Sequence, residues 1–397
     1  MADNRREALI TGIGIVSCLG EGDEAHWQAL SSAQARADTT TFAPYVVHPI
    51  ASLEYDKQIP KKGDQRQMEP WQRIGTYAAG LALEAAGAKG NTELLAKMDM
   101  IVAAGGGERD LAVDSAILSG RGSASSPDAF LNERLMNDLR PTLFLAQLSN
   151  LLAGNISIVH AVTGSSRTFM GEEASGVDAV RIAVSRINAG QSDIVLVGGA
   201  HNGERWDLLM LYEFGRLNLK EKFLPLWERG PAGGFALGSM GAFLVVEARA
   251  HAEQRGAKAL ARLTAVISDR SKRQPGTVGS TLKRLWESVA GHLKPGHFAV
   301  LSGASGAESA TSEERAFLTG QVKAPIRATG TYLGHAMEPQ FSMNIALAAM
   351  VVGRGKLFPP GDKSGVELPA DAPVTQVVVT GVGHWRGEGL ALVEAAA

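Results

Sequence analysis

The chain has 397 residues, of which 39 are Lys or Arg, 41 are Asp or Glu and 45% are apolar. This near-neutral balance fits a globular α/β protein and argues against nucleic acid or an anionic membrane as the main partner. The single cysteine, Cys18, excludes a disulfide framework and a metal site built on cysteines. No stretch approaches 18 consecutive apolar residues and no signal-peptide core is visible, so we expect a cytoplasmic protein without a membrane span.

The first part of the chain alternates strand and helix signals, with a polar surface excursion expected up to Arg66. Apolar runs bounded by glycine or polar residues predict strands, and apolar residues at helical spacing predict helices. The predicted strands are 7–11, 98–104, 156–159, 168–170, 194–197 and 242–247, and the predicted helices are 25–30, 71–86, 125–140, 142–153, 172–190, 206–212 and 249–255.

The segment from Gly12 to Ser17 superficially resembles a dinucleotide-binding loop after a first strand. The third glycine of that motif is missing, and no apolar second strand with a terminal acid follows. We therefore favour a Gly-rich turn that packs the first strand against a helix.

A second cycle of elements begins near residue 259. Its predicted strands are 259–267, 298–301, 375–380 and 390–394, and its predicted helices are 278–289, 312–318 and 341–352. Strands that alternate with helices indicate layered α/β structure with mostly parallel sheets. The two comparable cycles suggest an internal duplication, although no exact sequence repeat is visible.

Residues 162–202 predict a strand, a turn at Gly171 and a helix that starts near Glu172 or Glu173. A side chain at such a turn lies near unpaired N–H groups and the positive end of the helix dipole, where a cysteine becomes a nucleophile. Glu173 occupies this position. The simplest interpretation is an acid in the first helical turn, which stabilises a helix by roughly 0.3–1 kcal/mol.

Five segments together resemble one known family: Leu9–Gly20, Gly164–Gly199, Gly234–Gly238, Leu244–Glu247 and Gly334-His335. They are similar to segments of the elongating β-ketoacyl-acyl-carrier-protein synthases, and the resemblance covers nearly the whole chain. It implies a thiolase-like, five-layered αβαβα fold of two duplicated halves. Residues 1–250 would form the first half, with a cap at about 107–140, and residues 251–397 the second.

The resemblance places four residues at the family's catalytic positions. Glu173 falls on the nucleophilic cysteine, Gly303 on the first histidine, Gly330 on the lysine and His335 on the second histidine. A carboxylate is a weak nucleophile and would form an anhydride more reactive than the thioester it came from. Only His335 is retained, so condensation and decarboxylation are both disfavoured.

The C-terminal loop of the family, which carries a gating phenylalanine, corresponds to residues 381–389. Val382 falls on the gate, and Gly383 and His384 follow it as substrate-pocket residues. A second interpretation groups Glu173, His335 and His384 as a new acid–base or metal site. A metal would need a third firm ligand, and we assign neither a metal nor a cofactor.

We therefore predict a β-ketoacyl synthase homologue of fatty-acid or polyketide-type biosynthesis that has lost its nucleophile. It would act like a chain length factor, as the partner of an active ketosynthase, in contact with acyl carrier protein. Dimerisation, with itself or with that ketosynthase, would use the strand Thr168–Met170. One alternative is an enzyme that acts on acyl-carrier thioesters through Glu173, His335 or His384, as a transferase, decarboxylase or hydrolase. The other is a protein that only binds acyl chains or the carrier.

Overall fold

The computed structural model describes residues 6–139, 145, 147–231 and 233–396. The strands are β1 (Ala8–Ser17), β2 (Gly20–Glu21), β3 (Val47–His48), β4 (Asp99–Ala104), β5 (Ser166–Met170), β6 (Ile194–His201), β7 (Leu237–Gly238), β8 (Met240–Ala248), β9 (Ala261–Asp269), β10 (Phe298–Ser302), β11 (Ile326–Ala328), β12 (Gln376–Val382) and β13 (Glu388–Ala395). The helices are α1 (Gly22–Ser31), α2 (Lys62–Gln67), α3 (Pro70–Ala85), α4 (Thr92–Lys97), α5 (Leu111–Arg121), α6 (Pro127–Asn137), α7 (Leu151–His160), α8 (Glu172–Asn188), α9 (Trp206–Phe214), α10 (Arg249–Gln254), α11 (Thr277–Ala290), α12 (Ala310–Gln321), α13 (Gly330–Leu333) and α14 (Gln340–Arg354).

A large sheet runs through the described residues in the order β5-β4-β6-β8-β1-β9-β13-β12-β10-β11, with β2 beside β1. Its halves, β5-β4-β6-β8-β1 and β11-β10-β12-β13-β9, have the same order, and corresponding pairs run in the same sense. They meet where Leu9 and Ile10 pair with Arg262 and Ala261. The repetition confirms the predicted fold of two similar α/β halves. The division at residue 250 stays a prediction.

The sheet is mixed, so the expectation of mostly parallel sheets is wrong. β4 and β10 run parallel to both of their neighbours, but β8 and β13 run antiparallel to both of theirs. Residues 383–387 alone connect β12 to β13. Such a short connection joins antiparallel neighbours, because parallel strands need a crossover of about a dozen residues or more.

Alternate strand residues face different layers, which gives the αβαβα order. Ile101 and Val377 face a shared core formed around the central helices α8 and α14. Met100 faces α3 on the outer side of the first half, and Val378 faces α11 and α12 on the outer side of the second. The central helices therefore lie between the two halves of the sheet, and α8 carries Glu173 at its first turn.

Gly12 and Gly14 belong to a continuous strand, so the Gly-rich turn predicted there is wrong. Both glycines lie under α3. A Cβ at Gly12 would be 2.4 Å from the carbonyl oxygen of Ala82, and a Cβ at Gly14 would be 2.0 Å from that of Ala78. The glycines are therefore explained by close packing of α3 on β1. The predicted packing of the first strand against a helix is confirmed, although the predicted turn is not.

Two further local predictions differ from the structure. The apolar run Ile156–Val159, predicted as a strand, lies in α7, where Leu152 and Ile156 pack in the outer core with α3. Helix α12 begins at Ala310, two residues before the predicted start at Ser312.

The predicted cap contains α5 and α6, which have no buried residues. Its last residue, Arg140, lies outside the described residues, as do residues 142–144 and 146 of the predicted helix 142–153. Within the described ranges, no helix combines the length and apolar character needed to span a membrane.

Candidate functional site

The turn between β5 and α8 has an unusual backbone. Gly171 has a φ of 123° and Glu172 a φ of 47°. For residues other than glycine, the left-handed region costs roughly 1–2 kcal/mol. The turn directs Glu173 into the interior, where it is only 4% exposed. Strain of this kind concentrates at functional sites and switch regions, so the turn makes Glu173 the centre of the candidate site.

Two histidines converge on one oxygen of the Glu173 carboxylate. His335 Nε2 lies 2.7 Å and His384 Nδ1 2.9 Å from Oε1. The backbone N–H of His384 also donates to this oxygen, at 3.2 Å. A carboxylate only accepts hydrogen bonds, so each of the two ring nitrogens carries a proton. The structure thus brings together Glu173, His335 and His384.

The backbone holds both histidines in place. His335 N donates to Ala236 O, and Gly238 N donates to His335 O, so His335 is fixed to the strand region around β7. His384 lies in the β12–β13 connection. Arg273 anchors this connection by donating to the carbonyl oxygen of Gly383 and by pairing with the buried carboxylate of Glu388. The imidazoles are therefore preorganised around Glu173.

Aromatic rings pack against the imidazoles. The ring of Phe235 lies 5.5 Å from that of His335 and 5.6 Å from that of His384. Tyr212 meets His384 edge to face, with ring centroids 5.7 Å apart. Sequence reasoning did not assign Phe235 or Tyr212 to the site. The rings of Phe235 and Tyr212 reduce the local dielectric around the imidazoles, and this strengthens the interaction of Glu173 with His384.

The pKa shifts of Glu173, His384 and His335 indicate which of these three side chains are charged. Burial alone would raise the pKa of Glu173, but the two histidines outweigh burial and hold this pKa well below its usual value. Burial would lower the pKa of His384, but the carboxylates of Glu173 and Glu172 raise it overall. For His335, burial dominates and lowers the pKa. The cluster is therefore an ion pair of Glu173 and His384, with a neutral His335 as an additional donor.

The raised pKa of His384 gives a pH-dependent contribution to stability. The folded state binds the proton more tightly, so this contribution is complete below the ordinary pKa of 6.5 and is lost as pH rises through the folded pKa. We expect the difference in unfolding free energy between the wild type and His384→Gln to be largest below pH 6.5 and to shrink as pH rises above it, as measured by urea denaturation. A difference that is constant or grows with pH would contradict the assigned ion pair.

The resemblance places Gly303 and Gly330 at catalytic positions, and both glycines are closely packed. A Cβ at Gly303 would lie 2.4 Å from the carbonyl oxygen of Thr380. A Cβ at Gly330 would lie 2.9 Å from the Cδ1 atom of Leu226. The space that a histidine and a lysine would need is therefore filled by neighbouring groups. Gly303 and Gly330 are both buried but contribute no side chain to Glu173.

The three residues predicted for the substrate pocket do not all lie at the Glu173 cluster. Val382 faces outward from β12 into the core formed with α11 and α12, so the structure does not bring it to the Glu173 cluster. Gly383 does lie there, because a Cβ on it would be 3.3 Å from Glu173 Oε2. Of the three, Gly383 and His384 border the cluster.

A cavity of about 770 Å³ lies next to the cluster, and about half of its wall is polar. Glu172 and Tyr212 line it, but Glu173 and His335 do not. Its ionisable lining residues are Glu108, Arg109, Glu172, His201, Arg205, Asp207, Tyr212, Glu338 and Arg386.

Several of these groups are paired with one another across long sequence distances. His201 Nδ1 lies 3.2 Å from Glu338 Oε2, and Asn202 donates to Glu108. Burial raises the pKa values of Glu108 and Glu172. Sequence reasoning missed this wall, because its residues come from distant segments and match no motif.

Glu172, Glu173 and His384 also hold potential metal-ligand atoms within 4.8 Å of one another. Glu172 would supply the third ligand that a metal requires. However, the ring nitrogens of His335 and His384 both point at Glu173 Oε1. A metal ion bound by the two histidines would have to occupy the position of this oxygen. The geometry suits a hydrogen-bonded ion pair better than a metal centre.

A comparison with known families identifies the class of protein. Residues 5–252 match the family "Beta-ketoacyl synthase, N-terminal domain". The chain therefore belongs to the β-ketoacyl synthase family.

Individual relatives cover different parts of the chain. It is 26% identical over 273 residues to 3-oxoacyl-[acyl-carrier-protein] synthase 2 of Vibrio cholerae, which is 66% of this chain but only 62% of that relative. It is 25% identical over 380 residues to the tetracenomycin polyketide synthase ketoacyl synthase beta subunit of Streptomyces glaucescens, covering 91% of this chain and 89% of the relative. The solved ishigamide ketosynthase/chain length factor superposes with a TM-score of 0.81 at 17% identity, covering 99% of this chain and 100% of that one. This similarity confirms the thiolase-like fold.

Proposed function

We propose that this chain is a non-condensing β-ketoacyl synthase homologue that pairs with an active ketosynthase and helps to shape its acyl channel. The observation that carries the proposal is the closed Glu173 cluster, in which Oε1 accepts bonds from His335 and His384. We infer that a group that is held in this way, and is only 4% exposed, is a structural element of the fold. A cytoplasmic location remains part of the proposal.

The chemistry of the cluster supports the loss of condensation. Acyl transfer needs a nucleophile, and a carboxylate of strongly lowered pKa is a poor one. Decarboxylation needs donors aimed at the thioester oxygen. The Nε2–H of His335 is already used by Glu173, and position 303 has no side chain. The alternative of an enzyme that uses Glu173, His335 or His384 would require the cluster to open.

A partner subunit would cover an exposed apolar edge. β5 is the end strand of the described sheet, and such an edge offers unpaired N–H and C=O groups. Beside it, Ile158 is 71% and Met170 68% exposed. Extension of the sheet across a two-fold axis would satisfy the edge and cover both side chains. This edge is the dimerisation strand that we predicted from the resemblance.

A basic rim near the C-terminal loop would suit an acidic carrier with a phosphate-bearing arm. Arg270, Lys272, Arg273 and Arg386 line a second cavity of about 450 Å³ together with the exposed Trp385. Arg270 pairs with Asp178, and Arg273 pairs with Glu388. Lys272 and Arg386 make no ion pair with the described residues, so their charge is available to a partner.

The polar cavity next to the cluster favours a polyketide-type chain over a saturated one. Ligand cavities for alkyl chains are lined mainly by apolar groups. Burial of an alkyl chain against Glu108, Arg205 and Glu338 would cost solvation without compensating hydrogen bonds. An acyl chain with oxygen substituents could satisfy these groups.

The proposal is tested by incubation with malonyl- and acyl-carrier protein, followed by mass spectrometry, and by co-purification with an intact ketosynthase of the same cell. We expect no covalent adduct, condensation or decarboxylation from the chain alone, and a stable complex with the ketosynthase. Ile158→Glu with Met170→Glu should weaken that complex at least tenfold, whereas Leu368→Glu, at an exposed apolar position elsewhere, should not.

Each other outcome supports one of the alternatives. Turnover of a thioester that is abolished by His384→Gln would favour the enzyme. A stable homodimer that binds acyl-carrier protein but no ketosynthase would favour the binding protein. Lys272→Glu with Arg386→Glu should weaken carrier binding in either case, because both substitutions reverse charge on the basic rim.

A further inference from the structure

A buried cation without an anion, Arg229, lies outside the Glu173 cluster. Arg229 is 6% exposed, and its Nε and Nη1 donate to the carbonyl oxygens of Leu224 and Gly234. Its Nη2 has no hydrogen-bond partner. No described carboxylate forms an ion pair with it, and burial lowers the pKa of Arg229 to about 10.

An isolated buried charge is costly, and proteins usually pair it. The described residues supply Arg229 with two neutral carbonyl acceptors and no negative charge. The guanidinium stays protonated at neutral pH despite its burial, so the positive charge persists. An anion from outside the described chain would therefore complete its environment.

Arg229 lines a cleft of about 300 Å³. The remaining lining residues are Leu226, Trp227, Gly230, Pro231, Gly306, Glu308, Thr311, Ser312 and Arg315. Thr311 and Ser312 lie in the first turn of α12, a helix of 12 residues. Ser312 Oγ donates to the carbonyl oxygen of Ser309, whereas Thr311 Oγ1 accepts from Gly306 N and keeps its own proton. The cleft thus combines a buried guanidinium, a second arginine, one hydroxyl donor and the positive end of a helix dipole.

The opposing charge in the cleft is the exposed Glu308 at its wall. Arg315 donates to the carbonyl oxygen of Trp227 through Nη1 and forms no ion pair with a described residue. Arg229 and Arg315 therefore outnumber Glu308, and the net charge of the lining is positive.

We propose that this cleft binds a small phosphate-bearing anion. A tetrahedral oxyanion offers several acceptors at once, which matches two guanidinium groups and the Thr311 hydroxyl better than a single carboxylate does. The volume leaves space for an organic group on the phosphate. The cleft is separate from the Glu173 cluster, so the proposal does not depend on the chain being non-condensing.

The site would also influence the loop at the former first-histidine position. Gly306 ends this loop and lines the cleft, its N–H donates to Thr311, and its carbonyl oxygen accepts from Gly234 N. Leu226 lines the same cleft and donates its N–H to Thr331 next to Gly330. A bound anion would therefore stabilise the segments that fill the positions of the lost histidine and lysine.

The test uses the purified full chain in a buffer without phosphate. Inorganic phosphate and glycerol 3-phosphate are titrated at constant ionic strength, with acetate and chloride as controls, and followed by calorimetry and thermal unfolding. We expect saturable binding and a rise in melting temperature for at least one of the phosphates, because a ligand of the native state stabilises it. Tighter binding of glycerol 3-phosphate would identify a phosphomonoester as the ligand class, and tighter binding of inorganic phosphate the free ion.

Matched variants decide whether the anion occupies this cleft. Arg315→Gln should weaken phosphate binding at least fivefold, and Glu308→Gln should strengthen it at least twofold. Arg229→Met should abolish the phosphate-induced stabilisation, and it should also lower the melting temperature of the ligand-free protein, because the carbonyl oxygens of Leu224 and Gly234 lose their donor. Lys283→Gln, at an exposed position on α11, should change nothing.

The proposal is overturned if neither phosphate binds saturably, or if chloride or acetate stabilises the protein equally. It is also overturned if Arg315→Gln and Glu308→Gln leave the affinity unchanged. These two variants keep the test decisive even if Arg229→Met does not fold, because both residues lie at the wall of the cleft.

Discussion

Glu173→Ala is expected to lower the free energy of unfolding by about 3–5 kcal/mol, the cost of removing one partner from a buried ion pair. The substitution leaves the buried His384 without its carboxylate and removes the acceptor of His335 Nε2. It also leaves a cavity at the start of α8, whose core-facing residues join the two halves of the sheet. The effect is measured by urea denaturation near pH 6.5, where Glu173 is ionised and His384 retains its proton.

The neighbouring acid provides the control for this experiment. The side chain of Glu172 is 36% exposed, and its nearest ring nitrogen, His384 Nε2, is 3.8 Å away. Glu172→Gln should therefore change stability by less than about 1 kcal/mol, as expected for partly exposed pairs. Glu173→Gln should have an intermediate effect, because an amide keeps one acceptor but loses the charge. A loss below about 1 kcal/mol for Glu173→Ala would show that Glu173 does not stabilise the fold.

Much of the local structure around Glu173 could be predicted from sequence. Glycine at 171, the acids that follow and the apolar spacing of α8 predict a strand, a turn and a helix. The run Ile156–Val159 was mispredicted because β-branched residues favour strands locally. Contacts with α3 decide its structure instead, and such contacts are not encoded in the local pattern.

The candidate site could be predicted only at positions where the local sequence pattern and the family resemblance both point to the same residues. They placed Glu173, His335 and His384 near one another, and the structure brings these three together. They also placed Val382 at the pocket. The uninterrupted run Val377–Val379 gives no alternation from which the facing of Val382 could be inferred. The pairing of His201 with Glu338 spans 137 residues, and no local signal exists for it.

Placing the family's cysteine, histidine and lysine together at the three positions that the resemblance assigns to them is expected not to produce condensation. The variant Glu173→Cys, Gly303→His, Gly330→Lys should transfer an acyl group from acyl-carrier protein at least 10³-fold more slowly than an intact ketosynthase, since loss of acid–base groups alone costs 10²–10⁴-fold. The obstacle at Gly303 is a backbone oxygen, 2.4 Å from the position of a Cβ, and the backbone of β12 cannot move away without breaking its pairing. Overpacking of this kind also costs about 1–3 kcal/mol of stability.

The two glycines should differ in a way that tests this explanation. The nearest contact at Gly330 is the end of a leucine side chain, which can rotate, and the next is the carbonyl oxygen of Ala304 at 3.3 Å. Gly330→Lys alone should therefore fold, with a loss of stability that comes mainly from the burial of its amine. Gly303→His alone should be destabilised by more than Gly330→Lys in urea denaturation. The thiol of Glu173→Cys can be followed by mass spectrometry after incubation with acyl-carrier protein. Rapid acylation of the triple variant, with turnover, would mean that the site can reopen, and it would favour a recent loss of single residues over a rebuilt interior.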